Sequence, residues 1–410
     1  MGGARGFAWG FVAQGFASAT NFGLSVLAGR LLGPGGLGVV FIGFSAYQLV
    51  LGLQRATVTQ PLVAHAAPLT APKRLQLIHS GLAIVVSSGL VASVALATAG
   101  LIVGGDIGRG FVVFAPWVVP GVLQEFWKAV LFQEGKASAG ALSDAIRLGI
   151  MGLSLPLALE YRSDFLIVSA WGVGAAAGFG IGIVNLAAGL SGPRDALKWL
   201  RGEAGILGRW LGAREVVYQI GTYSTVLVLA FVIGSENLGG LRSAEALFSP
   251  FSLIAAAFVL PALPALARAL TRSRDAAQRL ALLISGVAIV LGLGYFGVMI
   301  VIGGWLLTHL FGSSFSEFKT LIWPMAVAQL FYAGSFAFTV LLIAEKRGAK
   351  LFIVGIVGSA ATVGFATALG SLHGVIGAAW GLTTAAAIAS VLVVLLGLRL
   401  KRRVQNASST

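Results

Sequence analysis

Apolar stretches of membrane-spanning length recur from one end of the chain to the other, each closed by a short polar or Gly/Pro-containing turn. Twelve are predicted, over residues 7–29, 37–66, 78–104, 111–132, 138–159, 165–188, 216–233, 243–266, 280–302, 321–344, 351–369 and 374–398. About 20 apolar residues in a helix cross a bilayer, and a helix satisfies its own backbone there. The pattern predicts an all-α polytopic membrane protein. The first stretch is itself long enough to span and shows no cleavage pattern, so it reads as a membrane helix.

The pattern also repeats. Gly33-Pro34-Gly35-Gly36-Leu37-Gly38 aligns with Gly234-Ser235-Glu236-Asn237-Leu238-Gly239, and the run from Ala56 to Pro61 aligns with that from Ala256 to Pro261. The twelve residues from Arg74 to Val85 match those from Arg279 to Val290 at eight positions. The turn Phe132-Gln133-Glu134-Gly135-Lys136 resembles Ile343-Ala344-Glu345-Lys346-Arg347. Spans 1–6 therefore repeat as spans 7–12. A six-helix unit has an even number of crossings, so both copies face the same way. Two such lobes around a central cavity suit alternating access by rocking. The expected division is a first lobe over 1–190, a linker over 191–214, a second lobe over 215–400 and a basic, disordered tail over 401–410. Pro61 and Pro261 recur at one place in the two copies, as packed kinks or as hinges for lobe motion.

Charge sets the orientation. Twenty Lys and Arg fall in alternate turns and five (Arg30, Arg109, Arg162, Arg242 and Lys319) in the opposite ones. Basic residues mark the cytoplasmic side, which predicts both termini inside. The net charge of +14 is thus accounted for without nucleic acid. The linker places Leu197, Leu200, Leu207, Trp210 and Leu211 roughly on one helical face, with Arg194, Lys198, Arg201 and Arg209 among them. That reads as an amphipathic helix on the inner leaflet, or as a solvated connection. Trp117, Trp171, Trp305 and Trp323 fall near span ends, as an aromatic belt does.

Composition narrows the chemistry. At 57% hydrophobic and 10% charged, the chain is too apolar for a soluble domain of its length. Without Cys there is no disulfide or thiolate site, and His65, His79, His309 and His373 lack ligand spacing. No metal or cofactor is expected. The outer loops are too short to hold a catalytic domain, and no nucleophile–base constellation stands out, so an enzyme is not expected.

Charges inside spans remain. One costs about 2.5–3.5 kcal/mol on insertion scales and so implies a partner or a role. The first half carries Arg55 in span 2, Glu125 and Lys128 in span 4, and Asp144 and Arg147 in span 5, a net charge of one positive. Counted outward from the turn at Gly135, Lys128 matches Asp144 in depth and Glu125 matches Arg147. Two ion pairs are expected there, Lys128 with Asp144 and Glu125 with Arg147. They either lock the bundle or take part in substrate binding or ion coupling. Arg55 has no acidic partner on its own helix and is expected to line a cavity, where a guanidinium suits bidentate capture of phosphate oxygens. The aligned second-half residue is Ala255. Arg30 lies at the outer end of span 1, either snorkelling or forming the outer rim of an anion path. Glu245, near the outer end of span 8, is a third carboxylate to consider for ion coupling. An amphiphile with an anionic head and a lipid tail would suit so asymmetric a charge distribution.

The run Val26-Leu27-Ala28-Gly29-Arg30-Leu31-Leu32-Gly33-Pro34-Gly35-Gly36-Leu37-Gly38 resembles the opening of bacterial polysaccharide exporters. These are the lipid-linked oligosaccharide flippases of the multidrug/oligosaccharidyl-lipid/polysaccharide (MOP) superfamily. In them a first helix ends in arginine, followed by Leu-Gly-Pro, then an aromatic or leucine before glycine; Leu37 takes that position here. The resemblance implies a multi-pass protein of the bacterial cytoplasmic (inner) membrane, with helices 1, 2, 7 and 8 lining the cavity. It implies flipping of a polyprenyl-diphosphate-linked glycan by a monomer among membrane lipids, alongside glycan-assembly enzymes. Arg30 is carried over from the motif. The substrate-binding candidates are then Arg30, Arg55, Lys128 and Arg147, and the ion-pair or coupling candidates Glu125, Asp144 and Glu245. A multidrug/cation antiporter of the same superfamily is the alternative, and a membrane glycan polymerase a more distant one. The positive excess favours an anionic substrate over a cationic drug.

Overall fold

The computed structural model describes residues 2–66, 69–186, 198, 201–345 and 347–398. Its regular structure, among these residues, is helical throughout. In order the chain forms α1 (Gly2–Gln54), a π-helical turn (Arg55–Thr59), α2 (Gln60–Ala66), α3 (Ala71–Val103), α4 (Gly105–Phe114), α5 (Val118–Gln133), α6 (Ala137–Leu153), α7 (Leu155–Tyr161) and α8 (Asp164–Leu186). It continues with α9 (Glu203–Ala246), α10 (Ser249–Arg272), α11 (Arg274–Phe311), α12 (Ile322–Ala344) and α13 (Gly348–Leu398). Among the described residues, eight segments are apolar and long enough to cross a membrane, and the bent pair α6–α7 adds a ninth. Two of the eight, Ala8–Val63 with 56 residues and Ala349–Leu398 with 50, are far longer than one crossing needs. Each contains a non-helical break, at Gly33 and at His373–Gly374. With those breaks, and with the 24-residue α10, the helices account for the twelve expected crossings. Of the linker expected over 191–214, residues 191–197, 199 and 200 lie outside the described residues; the chain is helical again from Glu203. The basic tail over 401–410 lies wholly outside them.

The repeat is written in the backbone. Gly33 (φ 74, ψ −173) and Gly234 (φ 80, ψ 164) break α1 and α9 at aligned positions. This region of φ/ψ space is essentially restricted to glycine. Pro34 then stands at the first position of the resumed helix, where its missing N–H costs nothing. The later outer turns also use positive φ, at Gly104 and Arg162 in the first half and at Gly312 and Gly374 in the second. The inner turns share a charge contact. Glu134 holds Arg74 at 2.8 Å, and its aligned residue Glu345 holds Arg274 at 2.9 Å and Arg347 at 2.9 Å.

The two copies differ at their prolines. In the first, Pro61 follows the π turn, in which the Gln60 N–H reaches back five residues to the Arg55 carbonyl. In the second, Pro261 sits within the uninterrupted α10. A proline therefore does not by itself require the wider turn, which accompanies the copy carrying Arg55.

The chain divides into two compact units between Ala230 and Phe231. In the first, an aromatic cluster of Phe44, Tyr47, Phe114 and Trp171 joins α1, α4 and α8. Trp171 is fully buried there among other rings, whereas Trp305 and Trp323 are exposed. In the second unit, Phe338, Leu341 and Leu342 of α12 pack with Leu266 of α10 and Ala277 and Ala281 of α11. Glycines set the closest helix contacts. A Cβ on Gly43 of α1 would stand 2.2 Å from the Gly110 carbonyl oxygen of α4. Such approach is the usual basis of helix association in lipid.

Candidate functional site

The five charged residues expected within the spans of the first half converge from three segments. α5 presents Gln124, Glu125 and Lys128, α6 presents Ser143, Asp144 and Arg147, and the π turn presents Arg55. The tight turn at Gly135 (φ 73) makes α5 and α6 antiparallel neighbours, so residues equally far from it lie at equal depth. α8 closes the site from behind through two glycines. A Cβ on Gly174 would stand 2.8 Å from the Arg147 carbonyl oxygen, and one on Gly178 would stand 2.7 Å from Gln124 Nε2 and 2.8 Å from the Ser143 carbonyl oxygen.

The expected Lys128–Asp144 pair is present, with Nζ 3.2 Å from Oδ2. The expected Glu125–Arg147 pair is not formed. Glu125 instead receives the Arg55 guanidinium at Oε2 and Lys128 Nζ at Oε1, the latter at 2.8 Å. Arg55, for which no acidic partner was apparent, therefore has one on a neighbouring helix. Arg147 Nη1 donates to Gln124 Oε1 at 3.0 Å, and its guanidinium lies 3.9 Å above the centroid of Trp171. The reason is rotational. Gln124 and Glu125 are adjacent and so point about 100° apart around α5. The former faces α6 and α8; the latter faces the π turn.

Gln124 ties the two halves of the cluster together. Its Nε2 donates to the Ser143 carbonyl and hydroxyl, both at 3.2 Å, and lies 3.4 Å from Asp144 Oδ1. Ser143 Oγ in turn donates to the Gly178 carbonyl at 3.0 Å. Beside Arg55, Gln54 Nε2 donates to Ser88 Oγ at 2.7 Å and to the Val85 carbonyl at 3.1 Å, fixing the start of the π turn against α3. Gln124, Gln54, Ser143 and Tyr47 are site residues that the sequence did not single out, and Trp171 stood out in it only by its place near a span end. None of them carries a formal charge, the feature by which the other members stand out along the spans.

Burial sorts the cluster. Asp144 is 0% exposed, Arg147 4% and Glu125 9%, whereas the Arg55 side chain is 50% exposed. Two carboxylates and the cations Lys128 and Arg147 balance in the buried part. Arg55 is the charge in excess, and it is the member that reaches the surface of the unit. A guanidinium carries five N–H donors, so contact with one carboxylate oxygen leaves donors for an anion.

The remaining predicted residues lie elsewhere. Arg30 is exposed in α1, three residues before the break at Gly33, whereas Arg55 lies 22 residues beyond that break. Glu245 belongs to the second unit and pairs with Arg242 at 3.5 Å, one turn apart in α9. Pro61 directly follows the π turn, and Pro261 lies in α10. Among the described residues, no group of three or more His, Asp or Glu is placed to hold a metal ion.

No family model matches the chain, and no curated protein matches its sequence. Solved structures match nearly all of it. An inward-facing multidrug resistance MATE family transporter of the MOP superfamily aligns with a TM-score of 0.71 at 15% identity, covering 93% of this chain and 93% of that one. The lipid II flippase MurJ, in an inward closed conformation, aligns with a TM-score of 0.72 at 15% identity, covering 94% of this chain and 86% of that one. A MOP superfamily transporter from Pyrococcus furiosus, described as having a binding pocket of reverse polarity, aligns with a TM-score of 0.63 at 15% identity, covering 94% and 92%. The chain has the fold that these transporters share.

Proposed function

We propose that this protein is a transporter that flips a polyprenyl-diphosphate-linked oligosaccharide across the bacterial cytoplasmic membrane, its duplicated lobes supplying alternating access. The observation that carries the reading is Arg55. Its half-exposed guanidinium is the surplus positive charge of an otherwise balanced, buried cluster. A diphosphate presents several oxygens to such a fork, and Arg recognises them with directed hydrogen bonds. Lys128 and Arg147 support the site by balancing the buried carboxylates. A neighbour in fold that is named a lipid II flippase, and the resemblance around Arg30 to polysaccharide exporters, agree with a lipid-linked substrate.

The test is a deletion strain scored for lipid-linked glycan retained in the inner leaflet, then complemented. Wild type is expected to clear the accumulation. Arg55→Ala is expected to fail to do so at normal protein levels, and full complementation by that variant would overturn the site. A multidrug/cation antiporter is the second reading, since several neighbours in fold are MATE multidrug transporters. Drug sensitivity in the deletion strain without glycan accumulation would select it.

A further inference from the structure

We infer that Glu125 is an internal competitor for Arg55: the anionic headgroup of the substrate gains the guanidinium by displacing the Glu125 carboxylate, which Lys128 then retains. The inference rests on the reading of Arg55 as the anion-binding residue and goes on to name what the substrate competes with.

Three observations carry it. First, Glu125 is the only carboxylate in ion-pair contact with Arg55 among the described residues, and it occupies the guanidinium through one oxygen. A carboxylate in that place presents what a phosphate oxygen would present: a negative acceptor on an N–H fork. Second, the contact can open without stranding a buried charge. The other Glu125 oxygen is held by Lys128 at 2.8 Å, one turn along the same helix, and Lys128 is backed by Asp144 at 3.2 Å. A buried carboxylate losing its last partner would be costly, but here one remains. Third, the two partners differ in freedom. Glu125 is 9% exposed within α5, whereas Arg55 is 50% exposed and stands at the start of a π turn. π turns are rare single-turn features that recur at functional sites. The arginine is the member able to move.

The consequence is selectivity. Only an anion that outcompetes a carboxylate already in place can take Arg55. That disfavours neutral lipids and singly charged headgroups relative to a diphosphate. It also gives the guanidinium a resting partner when no substrate is bound.

The experiment measures farnesyl diphosphate binding to the purified full-length protein in nanodiscs, with farnesol as the uncharged control. Glu125→Gln keeps the shape and removes the charge, so it is expected to tighten farnesyl diphosphate binding about tenfold, the scale of one charge-assisted hydrogen bond. Farnesol binding should not change. Glu125→Ala should act in the same direction, which keeps the test open if one variant does not fold. In an Arg55→Ala background, where binding is weak, removing Glu125 should produce no tightening. If Arg55→Ala loses binding but both Glu125 variants bind no tighter than wild type, the competitor role is overturned while the role of Arg55 stands. If Arg55→Ala binds as wild type does, the reading of Arg55 fails and the inference with it.

Discussion

The Arg147 guanidinium lies over the ring of Trp171, 3.9 Å from its centroid, and both side chains are buried. The charge is held by an aromatic face and by the neutral amide of Gln124, not by the carboxylate at matching depth. A desolvated cation over Trp is worth about 2 kcal/mol. Trp171→Leu keeps apolar bulk but removes the π face. It is expected to lower the thermal midpoint in detergent by about 2–6 °C, with Trp171→Phe losing less than half of that. Equal losses for Leu and Phe would show that the ring contributes volume alone.

Lys128 and Asp144 should behave as one unit. Lys128→Met leaves Asp144 fully buried without its ion-pair partner, which is expected to cost about 3–5 kcal/mol. Adding Asp144→Leu removes the stranded charge, and the double variant should recover most of that loss, since well-packed apolar replacements of buried pairs are often neutral. A double-mutant cycle on thermal or chaotrope unfolding measures the coupling. Strict additivity would mean that the two residues are energetically independent despite their distance.

The glycines behind the site predict damage without altered chemistry. Gly174→Ala and Gly178→Ala introduce methyl groups against the Arg147 and Ser143 carbonyls and are expected to push α6 away from α8. Both should lower stability and impair the proposed transport. Gly180→Ala, on the same helix with no neighbour within 4 Å, serves as the matched control and should be neutral. If the three variants are indistinguishable in thermal unfolding and transport, close α6–α8 approach is not required.

The outer turns make a separate prediction about backbone. Gly33→Ala and Gly234→Ala force a side chain into a positive-φ region, at about 1–3 kcal/mol each. Gly35→Ala, two residues later at ordinary φ and in open space, should be neutral or slightly stabilising. Membrane-inserted yield and thermal midpoint read the difference. Comparable behaviour at Gly33 and Gly35 would show that the break tolerates a side chain.

Much of this was legible in the chain. Hydropathy located the helices because lipid leaves few other structures open to a backbone, and the recurrence of Gly33 at Gly234 marked the repeat. Counting residues outward from Gly135 found the Lys128–Asp144 pair, because depth along antiparallel helices depends only on rise. It failed for Glu125 and Arg147, because depth does not specify rotation. The face of α5 that meets α6 also packs against α8, at Gly178, a tertiary contact that counting along the two helices does not include. Trp171 read as an interfacial residue because its position near a span end says nothing of the aromatic cluster that buries it. The partner of Arg55 was hidden for another reason: Glu125 lies on a different helix, 70 residues on, and spacing along span 2 says nothing of it.

That turn can be put in terms of winding. A π turn fits one more residue into its loop than an α turn does, so the stretch between Arg55 and Thr59 is wound differently from α10, although Ala56–Pro61 and Ala256–Pro261 match residue for residue. Each added residue rotates the helix on one side of it by about 100° relative to the helix on the other. The direction of Arg55 therefore depends on how this turn is wound as well as on residue type. At this place the two copies differ in two ways: the first carries an arginine where the second has Ala255, and its helix is wound as a π turn.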